Sequence, residues 1–159
     1  MIDVIIPVYR PTASFRKVLK RLDRQRVRPN RIILINTEER FWRPEFAAGL
    51  ERVEVYHIAK EEFDHAATRR MAAELSKAEY MMFLTQDAVP ADNRLTEQLL
   101  NVFQKKEVAA AFARQLPKSD CNPIERYTRS FNYPAASFIR EQADIETLGI
   151  RAYFFSDVC

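Results

Sequence analysis

Five short apolar runs constrain this chain more than any other feature. They are IDVIIPV (2–8), RIILIN (31–36), VEVYHI (53–58), YMMFL (80–84) and VAAAFAR (108–114). Nearly continuous runs such as the first two suit strands of a parallel sheet covered on both faces. VEVYHI alternates and reads as a strand nearer an edge. Helical periods fall between the runs. After Thr12 or Ser14, Phe15, Val18, Leu19 and Leu22 recur at i, i+3, i+4 and i+7, the spacing of one helix face. Pro29 and Asn30 break the chain, and PEFAAGL (44–50) reads as a short helix. A helix over 64–78 starts near Asp64 or His65, with Ala67, Met71 and Leu75 inward. Another follows Asp92 or Asn93, with Leu95, Leu99, Val102 and Phe103 inward. Strand and helix in alternation predict an α/β fold, a mostly parallel central sheet with helices on both faces, in a single domain over 1–159.

Beyond residue 114 the periodicity weakens. NPIERYTRSFNYP (122–134) reads as irregular or partly helical, IREQADIETLG (139–149) as a short helix closed by Gly149, and AYFFSDVC (152–159) as a last apolar strand. A buried strand flush with the end of the chain leads us to expect a truncated C-terminus.

Glycine scarcity removes whole classes of site. Only Gly49 and Gly149 are present, so neither a G-x-G-x-x-G turn nor a Walker A loop exists. Any bound phosphate must be held by side chains and a metal. The net charge of +3 is too small to argue for nucleic acid, and RYTRSFNY is not extended by a basic face. Cys121 and Cys159 have no metal or disulfide spacing, which fits a reducing compartment. The apolar N-terminus breaks at Arg10 and is too short for a leader or a membrane span.

In open α/β sheets, ligands bind beyond the carboxyl ends of the strands. That rule selects Tyr9, Arg10, Asn36, Thr37, Thr85, Gln86 and Asp87. Asp87 reads either as a turn cap before Pro90 or as the carboxylate of a hard divalent cation completed by phosphate oxygens. Arg69 and Arg70 precede the fourth strand, and an arginine fork suits phosphate. Tyr9 is a rim tyrosine or a platform on which a base stacks. His57 and His65 have no partner at metal-ligand spacing and read as structural.

Four segments in order resemble the N-terminal part of inverting family 2 glycosyltransferases of the GT-A fold. DVIIPVYRP is similar to their opening strand, FDHAATRRMAAE to their A-x-x-R-N-x-A/G segment, YMMFLTQDAVPAD to the strand with the D-x-D motif, and VAAAFARQLP to the strand after it. FLTQDAVP, RQLP, IERYTRSFNYP and FFSDVC are most similar to bacterial rhamnosyltransferase-like members. The resemblance implies transfer of a sugar, rhamnose in this subgroup, from a dTDP- or UDP-linked donor to a growing surface polysaccharide or lipid-linked oligosaccharide. It implies Mg²⁺ or Mn²⁺ at Asp87, and donor contacts from Pro7, Tyr9, Arg10, Asn36, Thr37, Arg69, Gln86 and Asp87. It implies a cytoplasmic protein, with peripheral contact at the inner membrane face in the full protein.

Departures from the pattern carry expectations of their own. Thr85 replaces the first D-x-D carboxylate, which predicts a metal site completed by the nucleotide. Asn36 stands where the family often has an aspartate, and Arg70 where it has asparagine. The general base is expected beyond residue 159, with Asp157 a candidate to line the acceptor side. The alternative from another class is a non-catalytic α/β interaction module using the aromatic segment 127–138.

Overall fold

The computed structural model describes residues 1–153. Four strands form one sheet, β1 (Ile2–Tyr9), β2 (Arg31–Thr37), β3 (Val53–Ile58) and β4 (Tyr80–Phe83), in the order β3-β2-β1-β4. All three pairings are parallel. The chain builds outward from β1 through β2 to β3, then returns to the other side of β1 with β4. The strand order therefore reverses between β1 and β4, the place where such sheets open a crevice at their carboxyl ends.

The register explains the unbroken apolar runs. Ile5 pairs with Ile33 and Phe83, and Ile35 with Tyr56, on one face. Ile5, Ile33 and Ile35 form a buried cluster there with Ala72 of helix α2 (His65–Leu75), flanked by Met71 and Leu75. Val4, Ile6, Val8, Ile32 and Leu34 on the other face are equally buried. On that side His57 meets Trp42, Trp42 meets Phe46, and Phe46 meets Phe15 of helix α1 (Phe15–Asp23) through edge-on ring contacts. Arg16 of α1 donates to the carbonyls of Glu45, Phe46 and Ala48, which ties the loop after β2 to the helix.

Several helix faces differ from the sequence reading. Phe15, Val18, Leu19 and Leu22 are buried as the spacing predicts. In α2 the buried residues are Thr68 and Ala72, whereas Ala67 is exposed. Asp64 caps this helix, so the inward face starts one position later than the stripe drawn through Ala67. In helix α3 (Leu95–Val102) Thr96 and Leu99 are buried and Val102 is exposed. Thr96 is drawn in because its hydroxyl donates to the Val27 carbonyl. PEFAAGL makes only a 3-10 turn at Pro44–Phe46.

Residues 108–114 are not a strand: they carry no ladder pairing. Three consecutive alanines supply little apolar area to hold a strand against a sheet. The chain divides here into two compact units, the first covering Met1–Ala111 and the second starting at Phe112. The second unit contains helix α4 (Pro123–Asn132) and helix α5 (Ile145–Leu148). Asn122 caps α4 by accepting from the Glu125 N–H, and Pro123 takes a first-turn position where its missing N–H costs nothing. Gly149 follows α5 at φ 55°, a left-handed conformation that glycine adopts without strain. Ala152 and Tyr153 lie in a 3-10 segment, Gly149–Tyr153. The rest of the last predicted strand, with Asp157, lies outside the described residues.

Candidate nucleotide-sugar site

Hydrogen bonds at the far end of the sheet orient α2. Arg31 donates to the Leu75 carbonyl at 2.9 Å, and Ser76 donates to Asp3 at 2.8 Å. These pin the end of α2 to the amino ends of β1 and β2. The start of α2 therefore stands at the carboxyl edge of the sheet. Asp64 caps it, accepting from the N–H groups of Ala67 at 2.7 Å and Ala66 at 2.9 Å. The Ala67 N–H is the main reason the Asp64 carboxyl sits below its ordinary value. Arg69, half-buried one turn into the helix, donates to the His65 carbonyl at 3.2 Å, and Arg70 is exposed.

Tyr9 ends β1 and Thr37 ends β2, side by side in register. Pro7 lies on the same face two residues earlier. β4 pairs with β1 only as far as Phe83, yet the two chains stay joined. The Leu84 N–H donates to the Ile5 carbonyl at 3.0 Å. The Gln86 amide then bridges to the Tyr9 backbone, accepting from its N–H at 2.9 Å and donating to its carbonyl at 3.1 Å. Gln86, read from sequence as a ligand contact, thus uses its amide to extend the sheet and fix Tyr9 at the switch point. Gln86→Leu should cost about 2 kcal/mol, because two backbone groups lose their partners. Urea unfolding of the variant checks this.

Asp87 is exposed just beyond this bridge, and its Oδ1 accepts from the Thr85 hydroxyl at 2.7 Å. Thr85, standing in place of a carboxylate, supplies a hydrogen bond and no charge. A hard divalent cation takes oxygen ligands and commonly keeps only one or two protein carboxylates beside phosphate oxygens. Asp87 fits that role. Among the described residues no cluster of three His, Cys, Asp or Glu side chains offers a preformed cage.

The β1/β2 edge carries a network that the sequence reading met only in part. Arg10 has φ 47° and Glu38 has φ 63°, the two positive-φ non-glycine residues among those described. The Arg10 guanidinium lies 5.0 Å from the Tyr9 ring centre and 4.7 Å from that of Phe41. Tyr9 and Phe41 meet edge-on at 5.8 Å. Arg40 stacks on Phe41 at 4.8 Å and pairs with Glu38 at 2.5 Å. Asn36 is fully buried; its Nδ2 donates to the Glu38 carbonyl at 3.1 Å and to His57 Nδ1 at 3.0 Å. Buried Asn36 Oδ1, Thr37 Oγ1, Glu38 Oε2 and Thr68 Oγ1 have no hydrogen-bond partner among the described residues. Buried polar atoms are ordinarily paired, and three of these unpaired oxygens stand on consecutive residues at the end of β2. Glu38, Arg40 and Phe41 were readable in ILINTEERF: the carboxyl-end rule, stopped at Thr37, needed four more residues.

The sheet is an open parallel α/β sheet whose strand order reverses between β1 and β4, with side chains rather than glycines at its carboxyl edge. Residues 3–158 match the description of glycosyl transferase family 2, and the chain belongs to that family. It is 34% identical over 157 residues to the O-antigen chain rhamnosyltransferase RfbN of Salmonella typhimurium, covering 98% of this chain and 50% of that protein. It is 32% identical over 156 residues to the O-antigen chain rhamnosyltransferase WbaN of Salmonella anatum, covering 97% and 49%. The chain thus spans about half the length of the curated relatives it matches. Among solved structures, S. aureus TarS superimposes with a TM-score of 0.52 at 16% identity, over 74% of this chain and 23% of that one. A 1–349 form of TarS in complex with UDP-GlcNAc gives the same TM-score at 15% identity, over 74% and 37%. The fold is the GT-A α/β arrangement. Nothing in these matches supports the interaction-module alternative. No helix among the described residues is long and apolar enough to cross a membrane.

Proposed function

We propose that this chain forms the donor-binding domain of an inverting glycosyltransferase that extends a bacterial surface polysaccharide. The observation that supports the reading is that Tyr9 and Asn36 stand at the carboxyl ends of β1 and β2 and Asp87 follows β4, at the reversal of strand order, with Arg69 one turn into α2. The donor is a dTDP- or UDP-linked sugar. Rhamnose is the sugar favoured by similarity to two rhamnosyltransferases of O-antigen chains. The acceptor is a growing saccharide, lipid-linked, met at the cytoplasmic face of the membrane.

In this mechanism the base stacks at Tyr9, which Phe41 braces edge-on, and the unpaired Oδ1 of Asn36 accepts the imide N–H of uracil or thymine. His57 and the Glu38 carbonyl hold the amide of Asn36 in that orientation. Arg10 and Thr37 complete the nucleotide side. Arg69 balances the charge of the departing diphosphate, which is favourable where donors are fixed beforehand. A bound Mg²⁺ or Mn²⁺, held by Asp87, would supply further charge neutralisation there. The acceptor hydroxyl attacks the anomeric carbon from the opposite face, and a base takes its proton. Asp157 is the candidate to line that acceptor side.

Arg69→Ala tests the diphosphate role. It should weaken binding of UDP about tenfold, the worth of one charge-assisted contact, and leave the much weaker binding of uridine unchanged. Calorimetry with both ligands decides it. Equal losses for UDP and uridine would place Arg69 in the fold rather than at the phosphates.

A further inference from the structure

Glu38 carries more unexplained features than any other residue of the carboxyl edge. It follows β2 directly and holds φ at 63°, a conformation that a long side chain rarely adopts. Its side chain is only 15% exposed. Arg40 holds Oε1 at 2.5 Å, and Oε2 is buried with no partner among the described residues. Two residues back, the Asn36 amide donates to the Glu38 carbonyl, so the backbone that carries this carboxylate is tied to Asn36. A strained backbone and an anchored Oε1 leave Oε2 as the one unpaired acceptor of this side chain.

We infer that Glu38 Oε2 accepts a hydrogen bond from a pentose hydroxyl of the donor nucleotide, which makes Glu38 a specificity-determining residue. The inference rests on the nucleotide reading above. Its chemistry follows by exclusion. A free carboxylate oxygen repels phosphate, so it cannot face the diphosphate. The imide N–H has its acceptor in Asn36 Oδ1. Between base and diphosphate, the pentose carries the neutral O–H donors. In open α/β sheets an acidic residue beyond the second strand takes a ribose hydroxyl for the same reason. Arg40 has a complementary part: its charge offsets that of Glu38, so the carboxylate is tolerated close to an anionic ligand.

The test is a cycle between residue and ligand, read by calorimetry on the 159-residue chain with Mn²⁺. The ligands are UDP, 2′-deoxy-UDP and 3′-deoxy-UDP. The wild-type chain should lose about tenfold in affinity, the worth of a hydrogen bond to a charged group, when one of the two hydroxyls is removed. Glu38→Ala should bind UDP as weakly as the wild type binds that deoxy ligand, with discrimination near one. Glu38→Gln keeps an acceptor and the shape of the loop, so it should retain part of the discrimination; it also decides the matter if the alanine variant fails to fold. A wild-type chain that binds all three ligands equally, or Glu38 variants that discriminate as the wild type does, would overturn the inference and leave the nucleotide reading standing. A wild-type chain that binds neither UDP nor dTDP would overturn that reading, and the role of Glu38 with it.

Discussion

Asp87→Ala should remove the Mn²⁺-dependent part of UDP or dTDP binding, a loss of about a hundredfold, the scale set by removing one preorganised electrostatic contact. Asp87 is exposed beyond β4, with one oxygen accepting from Thr85. A single carboxylate makes a poor site alone, because a hard cation needs several oxygens and gives up its waters reluctantly. Metal and diphosphate should therefore bind together: Mn²⁺ should bind weakly without nucleotide, and nucleotide weakly without Mn²⁺. Thr85→Asp supplies the second carboxylate and should raise Mn²⁺ affinity in the absence of nucleotide. Titrations in both orders measure this coupling. If Asp87→Ala leaves the Mn²⁺ dependence intact, the carboxylate is a turn residue before Pro90 and nothing more.

The second large effect is expected at the opposite end of the sheet. Asp3 is fully buried at the start of β1, beside Arg31 of β2. It accepts from Ser76 at 2.8 Å, Arg31 at 3.0 Å and Asn30 at 3.1 Å, and Arg31 continues to Glu54 on β3 at 3.1 Å. Asp3→Ala leaves three donors facing a cavity and should cost about 3 kcal/mol, roughly 10 °C in melting temperature for a chain of this size. Asp92→Ala, which breaks the exposed pair with Arg94, should cost less than about 1 kcal/mol. Burial alone would raise the Asp3 carboxyl; the hydrogen bonds from Ser76, Asn30 and Arg31 outweigh it and hold the group below its ordinary 3.8. On unfolding the carboxyl regains its ordinary affinity for protons, so the unfolded chain binds more of them in acid. The Asp3 contribution is thus complete above about pH 4 and declines as pH falls through the lower folded-state value. Melting curves of wild type and Asp3→Ala should converge below pH 4. UDP affinity of the variant at neutral pH should be unchanged, since the group lies at the amino ends of the strands.

The four strands of the first unit were legible because apolar runs report burial directly. Helix faces were less so. A stripe at spacing four through Ala67, Met71 and Leu75 is arithmetically sound, yet Asp64 fixes the start of α2 and turns Thr68 and Ala72 inward. Thr96 outranks Val102 because a hydroxyl with a carbonyl partner can be buried as readily as a methyl group. The run at 108–114 misled because alanines count as apolar while contributing little area. The carboxyl-end rule selected Tyr9, Asn36 and Asp87 from position alone, and the structure puts Tyr9 and Asn36 at the ends of their strands and Asp87 just beyond β4. The rule could not show that the Gln86 amide bridges to Tyr9 from seventy-seven residues away, because that pairing exists only once the strands are side by side. The link from Glu38 through Arg40 and Phe41 to Arg10 is equally invisible to spacing: it depends on two left-handed residues at the ends of neighbouring strands.

The most direct test of the donor site is calorimetric titration of the wild-type chain with UDP and dTDP, each with and without Mn²⁺. The account predicts binding of at least one pyrimidine diphosphate, strengthened by the metal and reduced by Tyr9→Ala and Asn36→Ala. No binding of either diphosphate in the presence of Mn²⁺, by a chain shown to be folded, would contradict it.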